Sequence, residues 1–322
     1  MHLIDLLRLV FENLNRRKAR VGLTSLGVMI GTAAVVILVS LAIGLQRNAT
    51  QQLYGINDLT QIQVWPNYGE GGPVMKEGGN APPQQQLITD ESLVELGAIP
   101  GVVAVIPRDY IQGQAMFKFN RLETYAGIMG AGVDDLSILG LQAQEGSLVL
   151  EKGCVIIGAL VPRNFYDPRL RPGQEMPEPP ELYGKTLKLV LSKWDQEGNE
   201  IKKNLTICVS GIIMESRSEA DWSIYMRMEE VTSFNEWFWG RRINRKKDGY
   251  SYAIVKAESV KQVMNVAEAI KNLGYNASTI LEAVQSINSF FSVLQVVFGG
   301  IGAIALLVAA IGIANTMTMA IL

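Results

Sequence analysis

Few residues of this sequence are of types that could carry out covalent or acid–base chemistry. His2 is the only histidine among 322 residues, and it lies at the extreme N-terminus. This leaves no Ser–His or Cys–His nucleophile pair and no histidine cluster that could ligate zinc. Two cysteines, Cys154 and Cys208, are too few for a disulfide framework. The sequence therefore predicts no catalytic residue, no metal site and no cofactor bound by this chain.

Two short motifs resemble nucleotide-binding signatures, and the context excludes both. Gly184-Lys185-Thr186 has the ending of a phosphate-binding loop, but the glycine that the motif requires is replaced by Pro179. Gly300-x-Gly302-x-x-Ala305 has the form of a dinucleotide fingerprint, but it lies inside a long apolar run rather than between a strand and a helix.

Charge distribution indicates a membrane protein. Charged residues make up 19% of the sequence, where a soluble protein has about a quarter. None occurs from Val21 to Gln46 or from Ala283 to Leu322, and each run exceeds the roughly 20 apolar residues that cross a bilayer. A net charge of −2 provides no basic field that would bind nucleic acid. We therefore predict transmembrane helices at 21–46 and 293–322.

The residues before the first span predict its orientation. Basic residues precede the span, and after it only Arg47 occurs before Asp58, so the N-terminus is predicted in the cytoplasm and the following region outside. The apolar run is too long for a cleaved signal peptide. Residues 1–20 are predicted to comprise an amphipathic helix over 3–14, which lies on the cytoplasmic lipid surface rather than packing as an ordinary core helix, and a basic anchor of Arg16, Arg17, Lys18 and Arg20.

The second span is predicted to return the chain to the cytoplasm. The sequence ends at Leu322, still in apolar residues, and a terminal carboxylate needs water. We therefore expect a truncated chain, with a cytoplasmic segment and further spans missing.

Small residues recur in both spans at a spacing of four, which permits close approach of two helix backbones. Gly27 and Gly31 form one such pair, and Gly299 and Ala303 another. Glycine and alanine are also common in membrane helices without a packing role. Asn315 is predicted either to hydrogen-bond across helices or to lie near the water interface.

Residues 47–288, between the spans, have the composition of a soluble domain. Thr89 is a good N-cap for a helix over 90–97, and Ser259 for one over 260–272. Residues 194–199 read as a hairpin loop, and 67–86 and 167–180 as mobile loops. The predicted class is α+β in two lobes. The runs typical of strands are Gln61–Trp65, Val102–Ile106, Thr124–Ile128, Cys154–Ile157, Thr186–Leu191, Leu205–Val209, Ser223–Met226 and Ser251–Val255.

Two features of this region allow alternative interpretations. Cys154 and Cys208 lie on predicted strands outside the cytoplasm, where oxidation can occur, but their apolar neighbours favour buried, unpaired thiols. The aromatic and basic segment 234–247 is interpreted either as a helix end followed by a solvated basic loop or as a surface that docks a partner or lipid headgroups.

In this layout the sequence resembles the permease subunits of MacB-like, FtsX-related ATP-binding-cassette transporters. The resemblance lies in Asn13–Gly44, Leu87–Pro107, Cys154–Tyr166 and Val296–Leu322, which are diffuse patterns of apolar and small residues. It implies a porter-like α/β lobe over about 57–108 and 222–288, interrupted by a mostly β lobe over about 109–221. It also implies four spans in the whole permease, of which two are present here.

The resemblance further implies the partners. A cytoplasmic ATPase on a separate polypeptide would use ATP, the permease would be a homodimer in the bacterial inner membrane, and an extracytoplasmic adaptor (a membrane fusion protein) would dock on it. The chain would be a non-catalytic exporter subunit that transmits ATP hydrolysis mechanically to its outer domain. Alternatives are a two-span envelope sensor, or a lipoprotein-release or cell-division relative of the same superfamily.

Overall fold

The computed structural model describes residues 18–54, 58–69, 86–171, 173–174, 176–195 and 197–321. The chain divides into two compact units, one formed by Met1–Leu53 with Ala283–Leu322 and the other by Tyr54–Glu282. We call them the helical unit and the outer domain. The predicted interfacial helix, the anchor residues Arg16 and Arg17, and most of the predicted loop at 67–86 lie outside the described residues.

Six α-helices and twelve strands form the described part of the chain. The helices are α1 (Lys18–Tyr54), α2 (Asp90–Gly97), α3 (Asp135–Ile138), α4 (Met228–Trp239), α5 (Val263–Asn272) and α6 (Ile280–Ile321). The strands are β1 (Gln61–Trp65), β2 (Val102–Tyr110), β3 (Gln114–Phe119), β4 (Leu122–Tyr125), β5 (Ile128–Ala131), β6 (Ala143–Gly146), β7 (Cys154–Ile157), β8 (Thr186–Trp194), β9 (Glu200–Ile213), β10 (Ile224–Arg227), β11 (Tyr252–Ala257) and β12 (Asn276–Thr279).

The helical unit contains α1 and the greater part of α6. Two stretches, Ser25–Gln51 and Ile280–Asn315, are long and apolar enough to cross a membrane, and only 6% of either is buried within the protein. Helices whose apolar side chains face outward all round are stable where the surroundings are lipid. The predicted spans at 21–46 and 293–322 fall largely within these two helices.

The outer domain is built on one mixed sheet. Strand order is β12-β1-β11-β2-β5-β10-β7-β9-β8-β3-β4, with β6 paired to β9. We call β12, β1, β11 and β2 the four-strand region and the remaining strands the eight-strand region. The first packs α2 and α5 through a core that includes Leu96 and Val266. The second packs α4 through a core that includes Val231 and Phe234. The outer domain is therefore of mixed α and β class, as predicted.

Local sequence signals located most of these elements. Thr89 caps α2 by accepting a hydrogen bond from the Ser92 backbone N–H, and the loop at 194–199 joins β8 to β9. Several predictions were wrong in their bounds; β9, for example, covers Glu200–Ile213 where 205–209 was predicted. The run at 124–128 straddles the end of β4 and the start of β5. The helix after Ser259 starts only at Val263, because residues 259–262 form a turn closed by Gln262 N–H to the Ser259 carbonyl.

Strand β10 and helix α4 pack with the eight-strand region. β10 lies between β5 and β7 in the sheet, and Met226 and Val231 are buried in that region's core. The family resemblance implies that residues 222–288 belong to the first lobe. Pairing of β10 in parallel with β5 places β10 in the eight-strand region, whereas β11 and β12 of this stretch lie in the four-strand region.

The two cysteines form a disulfide, which corrects the prediction of unpaired thiols. β7 pairs in parallel with β9 in a register that sets Cys154 opposite Cys208, and their Cα atoms are 4.4 Å apart. Such a separation lies within the range that a disulfide bridges. Apolar neighbours at each cysteine gave the wrong expectation because the pairing partner is 54 residues away in the sequence.

Candidate functional site

The two long helices contact each other along one face of each. On α1 the less exposed side chains recur at Gly31, Val35, Val39, Ala42 and Gln46, the spacing of a single helical face. A Cβ on Gly31 would lie 3.7 Å from the Ala305 Cβ, in ordinary contact. Gly31 faces Ala305, whereas Val35, which is later on α1, faces Gly302, which is earlier on α6. The two helices therefore run antiparallel.

The two helices approach each other closely at Gly302. A Cβ at Gly302 would lie 2.5 Å from Val35 Cγ2 and 3.2 Å from Val35 Cβ. Because valine is branched at Cβ and stiff in a helix, Val35 cannot turn away from such an atom. The helix backbones approach at Gly302 because glycine alone fits there.

The predicted small residues meet different surroundings. Gly31 faces Ala305, whereas neither Gly27 nor Gly299 has any atom within 4 Å of the position of a Cβ. Ala303 and Asn315 are exposed on α6. Of the predicted basic anchor, Lys18 is exposed and Arg20 belongs to the first turns of α1. In the sequence Gly302 is part of a false nucleotide motif, and nothing distinguishes Val35 from the other apolar residues of its span.

A hydrogen-bonded triad of amide side chains also joins α1 and α6. Its residues lie closer in sequence to the outer domain than the glycine contacts do. Gln46 Nε2 donates to Asn288 Oδ1 at 2.9 Å, and Gln295 Nε2 donates to Gln46 Oε1 at 3.1 Å. Asn288 and Gln295 are seven residues apart, which places them on one face of α6. Both ends of the Gln46 amide are used. The signal that could have found the triad is the occurrence of uncharged amides at the end of each apolar run.

A second polar cluster surrounds Asp109 in the outer domain. Its buried carboxylate accepts a hydrogen bond from the Ser251 hydroxyl and forms an ion pair with Arg245 at 2.9 Å. Arg245 also donates to the Gly249 carbonyl at 2.9 Å and to the Thr232 hydroxyl. These contacts tie the loop after α4 to β2 and to α4 itself.

A polar cavity of about 240 Å³ lies beside this cluster, and its charged walls are already paired. Arg241 makes two hydrogen bonds to Asp248, at 3.0 and 2.9 Å, and this pairing holds the pKa of Asp248 below its usual range. Asn235 accepts from the Gln112 N–H at 2.7 Å and donates to the Tyr110 carbonyl at 2.8 Å. The groups that line the cavity thus hold the local fold together.

The aromatic and basic segment 234–247 is therefore a helix end followed by a loop, as one interpretation predicted, but the loop is not simply solvated. Arg245 lies 4.6 Å above the Tyr250 ring and retains only 15% of its side-chain exposure. Burial, together with the hydrogen bond from its hydroxyl to Asp90, raises the pKa of Tyr250 to about 12.

On the other face of β2 lies a buried guanidinium. Arg108 is 0% exposed, and its Nη1 pairs with Asp135 Oδ2 at 2.8 Å. Its guanidinium carbon lies 6.0 Å from the centre of the Tyr225 ring, and burial raises the pKa of Tyr225 to about 12. Tyr252, stacked between Trp65 and Tyr110, also has its pKa raised by burial. Nothing in the sequence distinguished Arg108 from a surface arginine.

Among the residues that the structure describes, no three His, Cys, Asp or Glu side chains are close enough together to hold a metal ion. The clusters above bind protein groups to one another. What this geometry can do is hold helices and strands in a defined arrangement.

Comparison with known proteins gives three related similarities. A family model described as the MacB-like periplasmic core domain matches residues 21–273. The ABC transporter permease YtrF of Bacillus subtilis (strain 168) is 20% identical over 342 residues, covering 100% of this chain and 73% of that protein. The macrolide export ATP-binding/permease protein MacB 2 of Aeromonas hydrophila subsp. hydrophila is 22% identical, covering 98% of this chain and 45% of that protein.

Among solved structures, the periplasmic region of MacB from Actinobacillus actinomycetemcomitans aligns with 73% of this chain and 95% of its own, at 14% identity and a TM-score of 0.42. The extracellular domain of the noncanonic ABC-type transporter YknZ from Gram-positive bacteria aligns with 68% of this chain and 100% of its own, at 14% identity and a TM-score of 0.39.

Proposed function

The chain belongs to the family of the MacB-like periplasmic core domain, and from that membership we propose that it transmits cytoplasmic ATP hydrolysis mechanically to its outer domain, as the permease subunit of an export system. It is a membrane protein of the MacB-type ABC transporter permeases, with its core domain outside the cytoplasm. The observation that carries the proposal is that this core domain lies, in sequence, between two helices long and apolar enough to cross a membrane.

The spans favour mechanical transmission over a polar route through the bilayer. Asp, Glu, Lys, Arg and His mark ion and proton pathways in membrane proteins, and the sequence has none of them from Val21 to Gln46 or from Ala283 to Leu322. Helix α6 has no proline from Ile280 to Ile321, so its backbone hydrogen bonds can run unbroken. A helix of this kind can move as a stiff element.

In this proposal a cytoplasmic ABC ATPase on another polypeptide binds and hydrolyses ATP, and this chain carries out no chemistry. The permease works as a homodimer, and an extracytoplasmic adaptor receives cargo or motion from the outer domain. The cargo is a drug, a peptide or another envelope compound, by analogy with the macrolide export named for one relative. ATP binding and hydrolysis would bias the outer domain between two states.

Reconstitution tests the proposal. The complete permease is placed in lipid nanodiscs with its cognate ATPase, and the rate of ATP hydrolysis is measured with and without the permease. We expect stimulation by the permease. Absence of stimulation, with an ATPase that is active by itself, would contradict the assignment as its partner subunit.

A second arm tests transmission. Val293 is 63% exposed on α6, and Val293→Pro would break the helix there, whereas Val293→Ala preserves it. ATP-dependent distance changes between spin labels on the outer domains of the two subunits should be lost in Val293→Pro and retained in Val293→Ala. Equal changes in both variants would rule out α6 as the stiff element.

A further inference from the structure

Strand β2 changes its pairing partner in the middle of its length. It pairs with β11 from Val102 to Arg108, and with β5 through Asp109–Gly130 and Tyr110–Met129. In the described strands, these two pairs are the ladder that joins the four-strand region to the eight-strand region. The junction of the two regions therefore lies at Arg108 and Asp109.

Each of these two neighbouring residues forms its own ion pair. Successive side chains of a strand point to opposite faces of the sheet, and here the Arg108 side chain meets Asp135 while the Asp109 side chain meets Arg245. Asp135 begins α3, which follows β5 of the eight-strand region in sequence. Arg245 lies in the loop that leads from α4 into β11, between the two regions. An ion pair therefore lies on each face of the sheet at the junction.

The free-energy cost of burying Arg108 indicates that this residue has a role besides stabilising the fold. Its Nε and Nη2 atoms are buried without a hydrogen-bond partner, inside a core formed by residues such as Ile106, Met129 and Tyr225. A buried ion pair contributes little net stability, because desolvation offsets the attraction between the charges. Apolar groups of similar size would fill this position at less cost.

We propose that the Arg108–Asp135 pair is an orientation lock, which fixes the angle between the four-strand and eight-strand regions, with Asp109–Arg245 supporting it from the opposite face. Apolar packing across the junction is non-directional and tolerates small rotations. A charged hydrogen bond is directional and short, so it selects one angle. This inference concerns the outer domain alone and does not depend on the proposed export function.

The experiment measures the angle directly in the full chain. Spin labels are attached at Val94→Cys on α2, where the side chain is 75% exposed, and at Lys188→Cys, exposed on β8. The two native cysteines are paired and do not react. Arg108→Met replaces the arginine by an apolar side chain of similar length, and Asp135 still accepts its hydrogen bond from the Gly132 N–H. We expect the width of the label-to-label distance distribution to increase about twofold, with the melting temperature retained.

Controls separate an orientation lock from a general loosening. The double change Lys202→Gln with Glu200→Gln removes an exposed ion pair within β9 and should leave the width unchanged. Asp135→Asn removes the charge at nearly constant size and should also broaden the distribution; it decides the question if Arg108→Met does not fold. An unchanged width in the folded variants, equal broadening in the control, or a lower melting temperature without broadening would overturn the proposal.

Discussion

Gly31 of α1 and Ala305 of α6 face each other so closely that a Cβ on the glycine would lie 3.7 Å from the alanine Cβ. That separation is close to the usual Cβ–Cβ distance in a disulfide, about 3.8 Å. The pair therefore provides a direct measure of how the two spans are set against each other, because a crosslink can form only in this register.

Cysteines introduced at Gly31 and Ala305 should form a disulfide in the membrane under mild oxidation. Cysteines at Gly27 and Ala305 should not, since Gly27 has no atom within 4 Å of its Cβ position. Mass spectrometry of a non-reduced digest identifies each product. Efficient crosslinking through Gly27 would contradict the antiparallel register described above.

Replacing Gly302 by leucine should separate the helices. The new side chain would collide with Val35, whose nearest atom lies 2.5 Å from the Cβ position, and overpacking of this kind costs about 2 kcal/mol. We expect the Gly31–Ala305 crosslink to fall severalfold.

The matched control is Gly299→Leu, which changes the same helix by the same side chain at a position with no atom within 4 Å. It should leave the crosslink yield unaltered. Similar losses in both variants would mean that leucine disturbs α6 by itself and not through Val35.

Removing the side-chain amide of Gln46 should weaken the contact between α1 and α6 at the end nearer in sequence to the outer domain. Gln46→Leu abolishes the hydrogen bonds to Asn288 and from Gln295, and interhelical hydrogen bonds in membranes contribute about 1 kcal/mol each. Hydrogen exchange of the α6 backbone near Asn288 should become faster, as read by mass spectrometry. Gln51 is an exposed glutamine on α1, and Gln51→Leu is the control. Its α6 backbone should exchange hydrogen at the rate of the parent chain.

Loss of the disulfide should destabilise the eight-strand region. The bridge closes a loop between residues that are 54 positions apart, and removing such a constraint costs about 2 to 5 kcal/mol. Replacing Cys154 and Cys208 together by alanine should lower the melting temperature. Reducing the disulfide of the parent chain should lower the melting temperature by the same amount as that double replacement. A reductant that lowers the melting temperature of the alanine variant as well would point to a cause other than this disulfide.

Tyr250 should lose its proton only at strongly alkaline pH. Its pKa is raised to about 12, by burial and by the neighbouring Asp90 carboxylate, whereas an unfolded tyrosine titrates near about 10. A raised pKa means that the contribution to stability is complete below about pH 10 and is lost as the pH rises toward about 12. Tyr250→Phe should therefore lose less stability over this interval than the parent chain, measured by denaturant unfolding. Parallel losses in the two proteins would show that Tyr250 does not titrate in this way.

The sequence by itself determined the features that depend on local patterns. Charge-free length located both spans, because the cost of a charge in lipid applies residue by residue. Turn residues and the Thr89 cap located α2 and the β8–β9 hairpin, since these signals act within a few positions of the chain. The resemblance to MacB-like permeases rested on the same patterns of apolar and small residues, and the family match bears it out.

Only the tertiary structure decided which distant residues meet. Gly302 and Gly299 look alike in the sequence, and their difference arises from the rotation of α6 against Val35. Arg108 and Asp109 read as an ordinary charged pair, and the pleat of β2 sends them to separate partners on opposite faces. Cys154 meets Cys208 because parallel pairing of β7 and β9 sets their register. Such choices depend on register and rotation between elements, which residues far apart in the chain set together.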